Sequence, residues 1–275
     1  MTASTETDVR RAPLPIFGKA FADGRRALLG WGIGIAAAIF LYLPLYPSMI
    51  GTSEMQKLID SLPRALIRTL NYDQISTGAG YTQATVFGLI GFLLMSIASI
   101  GWGAAMLGGD EESGQLELTL AHGVTRVQVV VERFAALVLK VLLITALMFV
   151  LIALLNGPSQ LGIDVGYLAQ TCLLFAGLVL LCGSVAMLGG ALTGRKVWGI
   201  GAGAFVAVVG YVFNALGNQS ADLEWLHGLS PYYWAFGNYP MTNGAPPLAL
   251  LAFYGGSLLV AAVTALVLRQ RDIGV

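Results

Sequence analysis

The segment from Tyr167 to Gly194 reads YLAQTCLLFAGLVLLCGSVAMLGGALTG and contains no charged residue. As a helix it is long enough to cross a hydrocarbon core of about 30 Å. The run is continuously apolar and does not alternate with polar residues, so a helix that satisfies its own backbone hydrogen bonds is favoured over a barrel strand. This segment predicts an all-α membrane protein.

The composition of the whole chain agrees with that prediction. Of the 275 residues, 56% are hydrophobic and 11% are charged, and the mean hydropathy is +0.75. Soluble domains carry about 25% charged residues. The formal net charge is zero and the pI is near 6.7, which excludes a nucleic-acid partner because phosphate binding needs clustered excess cations.

Other apolar runs are also long enough to span a bilayer. They are Ala27–Pro47, Ala84–Gly109, Val141–Leu155 extended back to Phe134, Val197–Leu216 and Leu248–Leu268. The sequence therefore predicts six transmembrane helices in one domain, residues 1–275. Residues 1–26 are expected to form a tail and an interfacial helix, 27–268 the six-span bundle, and 269–275 a second tail.

The basic residues set the expected orientation. Of the 15 Lys and Arg residues, all but Lys57, Arg64 and Arg68 fall on one side of the predicted spans. The positive-inside bias predicts that both termini are cytoplasmic. We expect a multi-pass protein of the bacterial cytoplasmic (inner) membrane.

Three segments outside the spans have their own patterns. Pro15–Arg26 mixes apolar and charged residues and predicts a helix at the cytoplasmic interface, with a solvated tail as the alternative. Glu54–Leu70 has apolar residues at helical spacing and predicts an amphipathic helix on the outer surface. Asn218–Pro247 is rich in Trp and Tyr, which favours an interfacial aromatic belt over a lining for substrate exit.

The loop between spans two and three, Gly109–Arg126, reads GDEESGQLELTLAHGVTR. Its acidic start, a Ser113 able to cap and the Gly123 stop predict a short element capped at both ends. The alternating leucines Leu116, Leu118 and Leu120 suit a strand as well as a helix. Exposed leucines beside acids indicate a surface for docking a protein, and a solvated turn is the alternative.

The sequence lacks the residue patterns that an ion-coupled carrier, a metal site or a hydrolase would need. No Asp or Glu lies within a predicted apolar run, although an ion-coupled carrier needs such groups. Lys140 is the one charge well inside a run, and snorkelling towards the cytoplasm is favoured over a function. His122 and His227 lie in loops on opposite sides, which argues against a metal site or a hydrolase.

The sequence predicts neither a nucleotide-binding site nor a disulfide. Gly189–Lys196 is followed by Val197, whereas a Walker A loop needs Lys and then Ser or Thr. Cys172 and Cys182 are separated by roughly 15 Å along one helix, too far to bridge. They are expected to be small packing residues.

The six-span pattern, the EESGQLEL loop ending at Arg126 and the terminal RDIGV together resemble an ABC type-2 transporter permease of the bacterial drug and antibiotic exporter branch. Outer segments at Leu62–Leu66 and Leu229–Trp234 are also similar to that branch. The resemblance covers essentially the whole chain.

This resemblance implies two permeases, identical or paralogous, on two separate ABC ATPase subunits, which would hold ATP and Mg. The permease itself would have no cofactor, no metal and no enzyme activity. A coupling element resting on the ATPase, with the interfacial segment beside it, would comprise Glu111, Glu112, Ser113, Gly114, Leu116, Glu117 and Arg126. Its glutamates would form charge-assisted hydrogen bonds to ATPase Arg or Lys residues, and its leucines would pack on the apolar floor of a groove in the ATPase.

The expected activity is efflux of a hydrophobic or amphipathic cargo, such as a drug, natural product or lipid, from the cytoplasm. Antibiotic resistance is one expected outcome. Two alternatives remain open on the sequence: a non-transporting membrane anchor or sensor for a partner ATPase, and an ion-coupled secondary carrier.

Overall fold

The computed structural model describes residues 14–49 and 75–272. Every regular element in these ranges is a helix. The amphipathic helix expected in Glu54–Leu70, the Leu62–Leu66 segment and the last three residues lie outside the described residues.

The six predicted spans are confirmed, because six helices are long and apolar enough to cross a membrane. They are α1 (Pro15–Tyr42), α2 (Gly78–Glu112), α4 (Arg126–Asn156), α5 (Val165–Thr193), α6 (Lys196–Gly217) and α9 (Pro247–Gln270). The shorter helices are α3 (Gln115–Ala121), α7 (Pro231–Phe236) and α8 (Pro240–Asn243). A 3-10 turn, Leu43–Leu45, joins α1 to a last helical turn at Tyr46–Met49, and a second 3-10 segment covers Ala221–Leu229.

Three of the long helices begin at polar capping residues that lie before their apolar runs. The side chains of Thr77, Thr125 and Asp164 accept backbone N–H groups at the starts of α2, α4 and α5, at 3.0, 3.2 and 2.9 Å. Such side chains satisfy donors that the first helical turn leaves unpaired. In these three helices the apolar run therefore gave the span, and the polar cap sets where the helix begins.

The interfacial segment and span one form a single helix. Residues 15–26 are helical, as expected, but α1 continues without interruption from Pro15 to Tyr42. Pro15 lies in the first turn, where a missing N–H costs nothing, and no proline interrupts the helix after it.

Helix α5 lies at the centre of the bundle and packs against α2, α4, α6 and α9. Within it, 78% of an apolar 18-residue stretch is buried, compared with 22% in α1 and 17% in α9. Helices α2 and α5 cross closely at Gly103, where an added Cβ would lie 2.0 Å from the Gly183 carbonyl oxygen. Small residues allow this approach, which gives van der Waals contact where no hydrophobic driving force acts between helices.

The segment between α6 and α9 folds back into the bundle. Tyr232 on α7 is buried, and its hydroxyl donates to the Gly88 carbonyl of α2 at 2.8 Å, about 15 Å from the start of that helix. The amide of Gln83 donates to the Phe236 carbonyl and accepts from the Met241 N–H. The expected aromatic belt is therefore wrong for Tyr232 and Phe236, which pack inside, whereas Trp225 is 63% exposed.

Candidate functional site

The predicted coupling loop is a helix between two tight turns. Gly114 (φ +70°) and Gly123 (φ +78°) adopt the left-handed conformation on either side of α3, which glycine enters without a steric penalty. The ambiguity between strand and helix is thus resolved as helix, and Gly123 follows its end as predicted. Ser113 does not cap α3; its hydroxyl instead donates to the Gly109 and Asp110 carbonyls, which end α2.

The leucines of α3 point in different directions. Leu116 is fully buried within the chain, whereas Leu118 is 65% exposed and Leu120 is half-buried. At helical spacing, alternate residues face apart. Leu116 therefore fixes α3 to the bundle, and Leu118 is the leucine available to another molecule.

Three consecutive acids at the end of α2 reach three other helices. Asp110 pairs with Arg133 of α4 at 2.7 Å, and Glu111 pairs with Arg271 just after α9. Glu112 accepts the backbone N–H of Lys196, at the start of α6, at 3.1 Å. Glu111 and Glu112 thus have partners within the chain, and their contact with an ATPase stays a prediction.

Two arginines tie the end of α9 to its neighbours. Arg126, at the start of α4, donates to the Leu268 carbonyl at 2.8 Å. The guanidinium of Arg271 reaches both Glu111 and the Ala191 carbonyl of α5. Cations at a helix C-terminus satisfy unpaired carbonyls and oppose the helix dipole. We call the bundle end formed by these contacts, α3 and the start of α1 the terminal face.

Helix α1 is attached to this face by two residues of α4. The carboxylate of Glu132, 3% exposed, accepts the N–H groups of Ile16 and Phe17, both at 2.9 Å. Two turns later, the Lys140 ammonium donates to the Ala20 carbonyl at 2.9 Å. Lys140 is 3% exposed and its ammonium ends on the Ala20 carbonyl of α1. Its snorkelling towards the cytoplasm stays a prediction.

A cavity of about 590 Å³ opens between α1, α2, α3 and α4. Its charged lining residues are Lys19, Asp23, Asp110, Arg133 and Lys140. Leu118 and His122 of α3 form part of its wall. The cavity therefore adjoins both the candidate coupling helix and the attached end of α1.

Glu117 and the two histidines make fewer hydrogen bonds to other helices than the residues above. Glu117 is half-buried, and its Oε2 has no hydrogen-bond partner among the described residues. His122 lies near the Leu118 carbonyl, at 2.6 Å, and His227 contacts Asn218 elsewhere. In the described part of the chain, no group of three or more His, Cys, Asp or Glu residues is placed to hold a metal ion.

Sequence reasoning missed the roles of Asp110, Glu132 and Arg133. A usable signal was present, because Glu132, Arg133 and Lys140 interrupt a helix that is otherwise strongly apolar after Val129. Charges on such a helix are expected to pair within the bundle. Their partners in other helices lie 23 to 120 residues away along the chain and are not visible from local spacing.

A family model described as "ABC-2 family transporter protein" matches residues 14–272. A search of curated proteins finds no match.

Proposed function

Because the chain belongs to the ABC-2 transporter family and is a multi-pass membrane permease, we propose that it is the membrane subunit of an ATP-driven exporter. It moves a hydrophobic or amphipathic cargo, such as a drug, natural product or lipid, out of the cytoplasm. In a bacterium, it lies in the cytoplasmic membrane with both termini inside. The side that carries most of the Lys and Arg residues supports this orientation.

The observation that carries the proposal is the polar network of the terminal face. Asp110, Glu111 and Glu112 follow one another in the chain, yet each contacts a different helix or helix end. A displacement of the end of α2 is therefore passed to α4, to the start of α6 and to the end of α9. Helix α3 follows α2 directly through the turn at Gly114, so its motion acts on these contacts. Rigid-body motion of packed helices is an established way to convert a local event into a global change.

The residues of the coupling element divide into two roles in this proposal. Glu111, Glu112, Leu116 and Arg126 connect the element to the bundle, because their partners lie in the same chain. Glu117 presents a carboxylate oxygen without a hydrogen-bond partner among the described residues, and Leu118, which the structure adds to the element, presents an exposed side chain. Ser113 is exposed, but its hydroxyl is bonded to the end of α2. Gly114 supplies the turn that separates α3 from α2.

Energy comes from two ABC ATPase subunits that bind ATP and Mg. The Walker A-like stretch ending at Lys196 supports this assignment to a partner, since it forms the end of α5, a left-handed Gly194 and the start of α6. A second permease, identical or paralogous, completes the assembly. Helices α1, α6 and α9 expose apolar surface to lipid and to that second copy.

Co-expression with the candidate ATPase tests the proposal. We expect Leu118→Ala to reduce co-purification of the ATPase and ATP-dependent movement of a fluorescent phospholipid in proteoliposomes. Leu229→Ala is the matched control, because Leu229 is 56% exposed and lies near the opposite end of the bundle. Movement of cargo without any ATPase would refute the proposal, and a stable ATPase complex without cargo movement would favour the membrane anchor.

A further inference from the structure

Lys140 is a buried cation whose hydrogen-bonding capacity is incompletely used. Its ammonium has three donors, and among the described residues it has one acceptor, the Ala20 carbonyl. The ring of Trp102 adds a cation–π contact at 5.8 Å. A buried ammonium with so few partners carries a large desolvation cost unless further hydrogen bonds or an anion complete its environment.

The backbone of α1 leaves room for this side chain. At Gly24, an added Cβ would lie 2.4 Å from the Lys140 Nζ and 2.8 Å from its Cε. Any larger residue there would displace the ammonium from the Ala20 carbonyl, four residues earlier on the same helix. The position of Lys140 at the cavity wall therefore depends on a notch in α1.

The charges around the cavity leave one positive charge in excess. Lys19, Arg133 and Lys140 face Asp23 and Asp110. Arg133 and Asp110 pair with each other at 2.7 Å. Asp23 is then the one lining carboxylate left for both Lys19 and Lys140; it acts on the Lys140 charge, but no ion pair joins these two described residues. Lys19 is exposed to water and Lys140 is buried, so an added anion would stabilise Lys140 the more.

The size of the cavity and its apolar walls further restrict the class of ligand that would fit. Its volume of about 590 Å³ is far larger than an inorganic anion and lies in the range of sites for small organic molecules. Met106, Leu118 and Val124 contribute apolar surface. A ligand that fits both features has an anionic head and an apolar portion.

We infer that this cavity binds the phosphate head of an anionic amphiphile, with Lys140 as the contacting cation. The source is either a phospholipid of the adjoining leaflet or a soluble amphiphilic phosphate. A bound head would touch both α1 and α3, so its occupancy would act on the candidate coupling helix. The inference concerns binding, and its test needs the permease alone, so it stands or fails separately from ATP-driven export.

Trp102 lines the cavity and provides the reporter. A single-tryptophan protein keeps Trp102 and carries phenylalanine at positions 31, 198, 225 and 234. It is placed in nanodiscs containing phosphatidylglycerol or phosphatidylcholine with brominated acyl chains, and quenching of the indole fluorescence is compared. A second arm titrates hexyl phosphate into nanodiscs of unbrominated phosphatidylcholine.

Three variants separate binding from a structural role of Lys140. Lys140→Met removes the charge, Lys140→Arg keeps it, and Ala105→Leu fills the cavity while leaving the bond to Ala20 in place. Arg195→Gln is the control, since it removes an exposed positive charge outside the cavity lining. Thermal unfolding of each variant identifies any protein that has not folded.

Greater quenching by phosphatidylglycerol than by phosphatidylcholine supports a membrane lipid, provided that Lys140→Met and Ala105→Leu abolish the difference and Arg195→Gln keeps it. A Lys140-dependent response to hexyl phosphate alone supports a soluble amphiphile. We expect Lys140→Met to weaken binding about tenfold or more, the effect of losing one charge-assisted hydrogen bond. The inference is overturned if neither ligand gives a response, or if both responses persist in Lys140→Met and Ala105→Leu.

Discussion

Replacing Glu132 by alanine removes the carboxylate that holds the start of α1. This carboxylate accepts the N–H groups of Ile16 and Phe17 at 2.9 Å, and its other oxygen accepts from Gln128 at 2.7 Å. The residue before α1, Leu14, makes no side-chain cap. In the Glu132→Ala protein, the first donors of α1 therefore lose their acceptor at a buried position.

The magnitude follows from those two hydrogen bonds. A hydrogen bond to a charged group contributes about 1.5–3 kcal/mol, and loss of a helix cap costs about 0.5–2 kcal/mol. Because the two bonds share one carboxylate and water can reach the terminal face, we expect a combined loss of about 2–4 kcal/mol. At about 1.4 kcal/mol per tenfold change, local opening of this end of α1 becomes roughly 30- to 700-fold more populated.

Hydrogen exchange measured by mass spectrometry resolves this effect. We expect faster exchange in peptides covering residues 14–24, with little change in α5, because α1 contacts α5 far less than it contacts α4. Glu132→Gln keeps an acceptor without the charge and is expected to give an intermediate effect. Glu224→Ala, in the segment between α6 and α9, is the control.

Two outcomes would refute the reasoning. Unchanged exchange in residues 14–24 of Glu132→Ala would show that Glu132 does not hold α1. An equal increase throughout the bundle would show global destabilisation in place of local release.

Three further substitutions test other contacts. Gly103→Ala places a Cβ 2.0 Å from the Gly183 carbonyl oxygen, so we expect thermal unfolding to show a loss of stability of about 1–3 kcal/mol. Gly101→Ala is the control, because an added Cβ there meets nothing within 4 Å. Equal stability of the two variants would contradict the close approach of α2 and α5 at Gly103. Arg271→Gln breaks the ion pair between the end of α9 and Glu111 of α2 and should lower transport while the partner ATPase still co-purifies. Loss of both transport and co-purification would place Arg271 at the ATPase surface. Tyr232→Phe removes the hydroxyl that donates to α2 and should destabilise the protein by about 1 kcal/mol. An unchanged melting temperature would contradict the entry of the segment between α6 and α9 into the bundle.

Family membership changes how these variants are interpreted. In a permease, a substitution that leaves the fold intact but uncouples ATP hydrolysis from cargo movement identifies a transmitting residue. A substitution that prevents ATPase binding identifies a docking residue. By this criterion we expect Arg271 to be of the first kind and Leu118 to be of the second.

The sequence predicted the charged loop correctly as a compact element, yet the assignment of its residues needed the structure. Gly123 was a visible stop signal because a positive φ at that position favours glycine. Ser113 was also a plausible cap, but the turn at Gly114 directs its hydroxyl back to α2. Whether a hydroxyl caps the following helix or ends the preceding one depends on backbone geometry that residue type alone does not specify.

The sequence by itself determined the six spans, because transfer of an apolar run into lipid depends on the length and composition of that run and needs no knowledge of its neighbours. The tertiary structure alone decided the partners of Asp110, Glu112, Glu132 and Lys140 and the inward position of Tyr232. Those contacts join residues up to 144 positions apart, and their strength depends on distance and burial, which exist only once the helices have packed.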